Sequence, residues 1–127
     1  MKVFSVNQIR AWDAFTITHE PIHSIDLMER ASVAFVKWFC AHFDDQCLVN
    51  IICGMGNNGG DGLAIARILI QKCYPVKVYI VKHTEKGTPD FAQNLQRLQP
   101  LTASQWIDPV AEIPPCSGKS CVLDALL

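Results

Sequence analysis

The chain has 127 residues, half of them hydrophobic, and a formal net charge of −1. That length fits one domain with enough apolar material for a core. The charge balance supplies no field to gather nucleic acid or an anionic membrane, and no apolar run approaches the ~20 residues of a membrane span. Met1-Lys2-Val3-Phe4 leads at once into polar Asn7, Gln8 and Arg10, unlike a secretory leader, so a cytoplasmic location is expected.

The first predicted helix covers about residues 5–19. Ser5-Val6-Asn7-Gln8 reads as its capping box, and Ile9, Trp12, Phe15 and Ile17 give it an apolar face. A second helix over 24–42 carries Leu27, Met28, Ala31, Ala34, Phe35, Trp38 and Phe39, a wide stripe suited to a core or a subunit interface. Between them, His19-Glu20-Pro21-Ile22-His23 has the letters of a zinc-protease motif. Pro21 breaks the continuous helix such a site needs, so the segment reads as a polar loop.

Cys47–Cys53 is an apolar run of strand length, and Leu63–Ile70 lies in a helix predicted over 61–72. Val76–Val81 is a second strand. Thr88-Pro89-Asp90 caps a further helix whose face is Phe91, Leu95 and Leu98. Residues 99–119, with Pro100, Pro109, Pro114, Pro115 and Gly118, read as a connection with one short extra turn, and the last strand runs from Cys121 to about Leu126. Apolar strands separated by helices imply an α/β fold with parallel pairing and right-handed crossovers. Gly118-Lys119-Ser120 looks like the end of a phosphate-binding Walker loop, but Ile113 stands where its first glycine belongs, and a strand follows rather than a helix. The six cysteines show no C-x-x-C spacing, and Cys53, Cys73 and Cys121 lie in apolar segments, so reduced and mostly buried thiols are expected.

The densest signal lies between the strand at 47–53 and the helix after it. Gly54-Met55-Gly56-Asn57-Asn58-Gly59-Gly60-Asp61-Gly62 holds five glycines in nine residues. Glycine permits positive φ, so the loop is expected to turn successive N–H groups toward one point and to receive a phosphate at the helix start. The second strand ends in Lys82-His83, without the acid that an ordinary NAD site places there for the ribose. Lys77, Lys82, His83 and Lys86 read as a solvated strand end, with contact of one lysine to a nucleotide phosphate as the alternative. Asn57 and Asn58 are neutral donors and acceptors, and Asp61 is expected near the helix N-terminus. Asp124 stands at the carboxyl end of the last strand, where loops of a parallel sheet meet. An asparagine oxygen and a carboxylate suit an alkali or alkaline-earth cation better than zinc.

Gly56-Asn57-Asn58-Gly59-Gly60-Asp61-Gly62-Leu63 resembles the signature of the YjeF N-terminal domain family, the NAD(P)HX epimerases. Leu27-Met28-Glu29-Arg30-Ala31 resembles the family's LMExAG segment, with Ser32 at the glycine position. Val122-Leu123-Asp124-Ala125-Leu126-Leu127 resembles the strand entering its second glycine loop. The resemblance covers the whole chain, and the chain covers roughly the first half of the family domain. It implies a Rossmann-like three-layer α/β/α fold with a mainly parallel sheet, cut after about three strands, with residues 1–127 as the N-terminal part of one domain. It further implies that Asn57, Asn58, Gly59, Gly60 and Asp61 contact hydrated NADH or NADPH (NADHX, NADPHX), that Asn58 and Asp124 hold a potassium ion, and that the R and S forms of this damaged cofactor are interconverted. Asp61 is the candidate acid–base group. A homodimer, and fusion to or cooperation with an NAD(P)HX dehydratase, are family expectations. A protein-binding scaffold, as in relatives known as apolipoprotein A-I binding proteins, and another nucleotide-dependent oxidoreductase are the competing readings.

Overall fold

The alternation of strand and helix patterns produces one five-stranded sheet in which every pairing is parallel. The computed structural model describes residues 2–5, 23–109 and 118–126. The strands are β1 (Lys2–Ser5), β2 (Leu48–Cys53), β3 (Val76–Val81), β4 (Gln105–Ile107) and β5 (Ser120–Ala125), in the spatial order β1-β5-β2-β3-β4. The described helices are α1 (Ser24–His42), α2 (Asn57–Gln71) and α3 (Pro89–Leu98). α2 packs on β2, β3 and β5 and is flanked by α1 and α3.

β2 is central, and its Val49, Asn50, Ile51 and Cys53 are all buried. Successive strand residues face opposite sides, so burial of neighbours means that both faces are covered, as expected in a parallel sheet. Ile51, Leu63, Leu69, Ile80 and Leu123 form the middle of the core, with Phe39 of α1 and Leu98 of α3 beside them. The predicted helix at 24–42 is present with those bounds, but its apolar stripe is narrower than expected. Ala34 and Trp38 are exposed, and Val36 takes a buried place instead. Trp38 stacks on His42 at 4.5 Å, one turn further along. Glu29 of α1 forms an ion pair with Arg67 of α2 and ties the two helices.

The predicted cap of α3 is also present. Thr88 Oγ1 accepts the Phe91 N–H at 3.3 Å, with Pro89 opening the helix. Two strands escape the sequence reading. β1 lies where a helix was expected to begin, with Ser5 in the strand; the rest of that predicted helix, and His19 to Ile22 of the H-E-x-x-H segment, lie outside the described residues. β4 lies within the predicted connection and pairs with the tip of β3, Tyr79 opposite Gln105 and Val81 opposite Ile107. Strands this short carry no readable period, and their conformation depends on the neighbour that receives them.

The five described cysteines are free thiols, and Cys116 lies outside the described residues. The sulfurs of Cys47 and Cys121 meet at 3.0 Å in the core. Cys73 departs from expectation, because it is exposed and adopts φ 68° just after the C-terminus of α2. This left-handed residue closes the helix, a position that favours glycine. Cys73→Gly is therefore expected to stabilise the protein by about 1 kcal/mol, read as an upward shift of the urea midpoint. The lysine of the Walker-like Gly118-Lys119-Ser120 pairs at the surface with Asp44 at 2.8 Å, and its serine opens β5.

Candidate functional site

The connections after β2, β3 and β5 meet at the carboxyl edge of the sheet, and backbone geometry fixes how. Gly54 N–H donates to the Ala125 carbonyl at 2.9 Å, joining the β2 loop to the end of β5. Met55 N–H donates to His83 Nε2 at 3.2 Å, and the Met55 carbonyl accepts the Thr88 N–H at 3.0 Å. The segment Gly54–Gly56 is thus held from β5 on one side and from the β3–α3 link on the other.

The glycines act differently from the sequence expectation. No described residue of this loop has positive φ; the only described glycine that does is Gly118. What the loop needs is missing side chains. A Cβ on Gly59 would stand 1.9 Å from the Gly54 carbonyl oxygen, and one on Gly54 would stand 2.4 Å from the Leu126 carbonyl oxygen. Gly56 is the exception, with nothing within 4 Å of a Cβ placed there. It is the N-cap of α2, at φ −94° and ψ −163°, and provides no side-chain cap. Gly56→Ser supplies a hydroxyl acceptor at that cap and is expected to change stability by only about a few tenths of a kcal/mol, upward, as thermal melting would show.

α2 begins at Asn57, about one turn earlier than predicted. Asn57-Asn58-Gly59-Gly60 has poor helix propensity, so local pattern starts the helix at Asp61. Close packing overrides propensity, and Gly60 N–H closes the first turn on the Gly56 carbonyl at 3.0 Å. Asp61 is therefore the fifth helical residue rather than the first, and it is 2% exposed. Burial, and then the negative charge of Asp61, push the Cys53 thiol far above its usual range.

Asn58 is equally buried, and neither its amide oxygen nor its amide nitrogen has a hydrogen-bond partner. Buried amides are nearly always satisfied, so both atoms await a ligand or a solvent molecule. Asn57 is exposed beside it, and Gly59 and Gly60 are buried. Asp124 is exposed, opposite Ile52 in the ladder, and its Oδ1 accepts the Leu126 N–H at 3.1 Å. One carboxylate oxygen thus shapes the turn after β5, and the carboxylate retains further acceptor capacity. An orphaned buried amide and an exposed carboxylate on the same sheet edge fit a hard, oxygen-seeking cation.

Three supports were not visible in the sequence. His83, read as part of a solvated strand end, is exposed but accepts the Met55 amide. Met28 covers Gly60, its sulfur 3.1 Å from the position of an added Cβ. Asn94 of α3 donates to that sulfur at 3.1 Å and to the Asp90 carbonyl at 3.1 Å. The signal that bears on His83 is the expected parallel pairing of the two strands; the observed register, Cys53 opposite Ile80, sets the residues after β3 beside the loop after β2.

A parallel sheet whose central strand runs through a glycine loop into a helix start is the layout of the open α/β class, in which ligands bind at the carboxyl edge of the strands. The sequence profile of the family described as YjeF-related protein N-terminus matches residues 24–127, and the chain belongs to that family. It is 34% identical over 124 residues to the NAD(P)H-hydrate epimerase of Oenococcus oeni, covering 96% of this chain and 57% of that protein. It is 30% identical over 122 residues to the NAD(P)H-hydrate epimerase of Weissella koreensis, covering 96% of this chain and 53% of that one. A bifunctional NAD(P)H-hydrate repair enzyme of Moorella thermoacetica is 40% identical over 83 residues, 63% of this chain and 16% of that protein. The crystal structure of yeast ynu0 superposes with a TM-score of 0.60 at 26% identity, over 87% of this chain and 48% of that one. The chain thus spans about half the length of the two relatives named NAD(P)H-hydrate epimerase. No described helix is long and apolar enough to cross a membrane.

Proposed function

We propose that this chain forms the loop-bearing half of an NAD(P)H-hydrate epimerase, acting on NADHX and NADPHX in the repair of nicotinamide cofactors. The observation that carries the reading is the buried, unpartnered amide of Asn58 in the first turn of α2, with Asp61 three residues further on. Relatives named NAD(P)H-hydrate epimerase support the substrate.

Inverting the carbon that bears the hydroxyl requires a bond at that carbon, or the ring, to open and reclose. A proton must reach the departing hydroxyl and be withdrawn when it returns. Asp61 is the group we assign to that proton transfer. The amides that open α2 receive the anionic part of the substrate, and Asn57, Asn58, Gly59 and Gly60 line its approach. Asn58 and Asp124 would hold a potassium ion, whose charge would steady the anionic substrate. A homodimer, cooperation with an NAD(P)HX dehydratase, and a cytoplasmic location belong to the same reading. The bifunctional repair enzyme among the relatives supports the link to a second activity.

The test is conversion of R-NADHX to S-NADHX, followed by chromatography, with the natural-length product of this gene in potassium or sodium buffer. Acceleration above the spontaneous rate, greater in potassium, is the expected result. A folded protein that leaves the spontaneous rate unchanged would remove the epimerase assignment; equal acceleration in both buffers would remove the ion.

A further inference from the structure

We propose that His83 is a positioning residue for the glycine loop after β2, acting through the backbone amide of Met55. The proposal rests on the epimerase reading only for its kinetic consequence; the contact itself is geometric.

The Met55 peptide is gripped at both ends by the segment that follows β3. Its N–H donates to His83 Nε2 at 3.2 Å, and its carbonyl accepts the Thr88 N–H at 3.0 Å. The imidazole also reaches the preceding residue, since a Cβ on Gly54 would lie 3.4 Å from Nε2. Of the ties on Gly54 and Met55 just described, those to Ala125 and Thr88 are backbone to backbone. The tie to His83 is the one made by a side chain, and so the one that sequence can alter without moving a strand.

His83 itself is exposed, whereas Met55 is 5% exposed. The acceptor therefore contributes little to the core, while the amide it serves belongs to a buried residue. A shielded N–H without an acceptor is disfavoured, so losing the imidazole drives the peptide to rotate or shift toward solvent. Met55 is two residues from the start of α2 and three from Asn58. A shift there is passed to the first turn, because Gly59 packs so closely on the Gly54 carbonyl that an added Cβ would stand 1.9 Å from its oxygen. Accepting at Nε2 requires that nitrogen to be unprotonated, which puts the ring proton on Nδ1.

The test uses the natural-length protein with His83→Leu, His83→Asn and His83→Gln. Leucine keeps bulk but removes the acceptor. The asparagine carbonyl falls near the Nδ1 position and is too short. The glutamine carbonyl reaches the place of Nε2. With His83→Leu and His83→Asn, Met55 amide hydrogen exchange should speed up by roughly tenfold, and KM for NADHX should rise about fivefold with kcat unchanged, because the loop then spends only part of its time in the binding geometry. His83→Gln should restore both values. Wild-type exchange and KM in either acceptor-free variant, or failure of glutamine to restore them, overturns the proposal. So does faster exchange with no change in KM. If the wild-type protein does not epimerise NADHX at all, the functional reading falls, and the exchange measurement alone still decides whether His83 holds the loop.

Discussion

Gly59→Ala is expected to destabilise the protein severely, although alanine is the better helix former by about 1 kcal/mol and Gly59 lies within α2. The decisive quantity is the 1.9 Å between an added Cβ and the Gly54 carbonyl oxygen, with the Gly54 carbonyl carbon at 2.6 Å. Both obstacles are backbone, so no rotamer change relieves them. Relief requires lifting α2 off the loop or breaking the 2.9 Å bond from Gly54 to Ala125. Overpacking that forces backbone to move destabilises by roughly 3 kcal/mol or more, several times the propensity gain. The urea midpoint should fall by more than about 1 M with the slope unchanged, while Gly56→Ser, at the open end of the same loop, should hold or raise it. A Gly59→Ala protein as stable as the parent would show that the loop and helix do not pack this closely.

Asp61→Asn is expected to separate catalysis from folding. The replacement has the same shape, and it exchanges a carboxylate that is 2% exposed for a neutral amide. The replacement keeps the side-chain volume in the core, so the protein should still fold with a cooperative thermal transition. If Asp61 moves the proton, NADHX epimerisation should fall on the order of 10²- to 10⁴-fold, mainly in kcat. The same change removes the negative charge beside Cys53, so that thiol should ionise at a lower pH than in the parent while burial still holds it high. Measured kcat within about threefold of wild type would take the acid–base role from Asp61. A loss of binding with unchanged kcat would instead make it a substrate contact.

Site chemistry and fold were legible to different depths. The helix at 24–42, the cap at Thr88 and the strands around the glycine loop could be read directly, because each depends on neighbours in sequence. β1 and β4 could not, because strands of four and three residues exist only through the partner that receives them. Cys73 illustrates the same limit. It was expected in an apolar segment, yet it follows Gln71 and Lys72, and the way α2 ends turns it outward.

For the loop, the sequence by itself determined the composition of the site: glycine, two amides and a carboxylate between a buried strand and a helix. Local rules suffice for that, since a glycine cluster between two apolar segments has few alternative uses. Tertiary structure alone decided what each residue does there. Gly59 is needed because of Gly54, Gly54 because of Leu126, and Gly60 lies beneath Met28. Asn58 is sealed from solvent without a partner, Asp124 shapes its own turn, and Met55 leans on a histidine 28 residues away. These properties arise from close approach between segments far apart in the chain, and packing at that range leaves no periodic trace in the sequence.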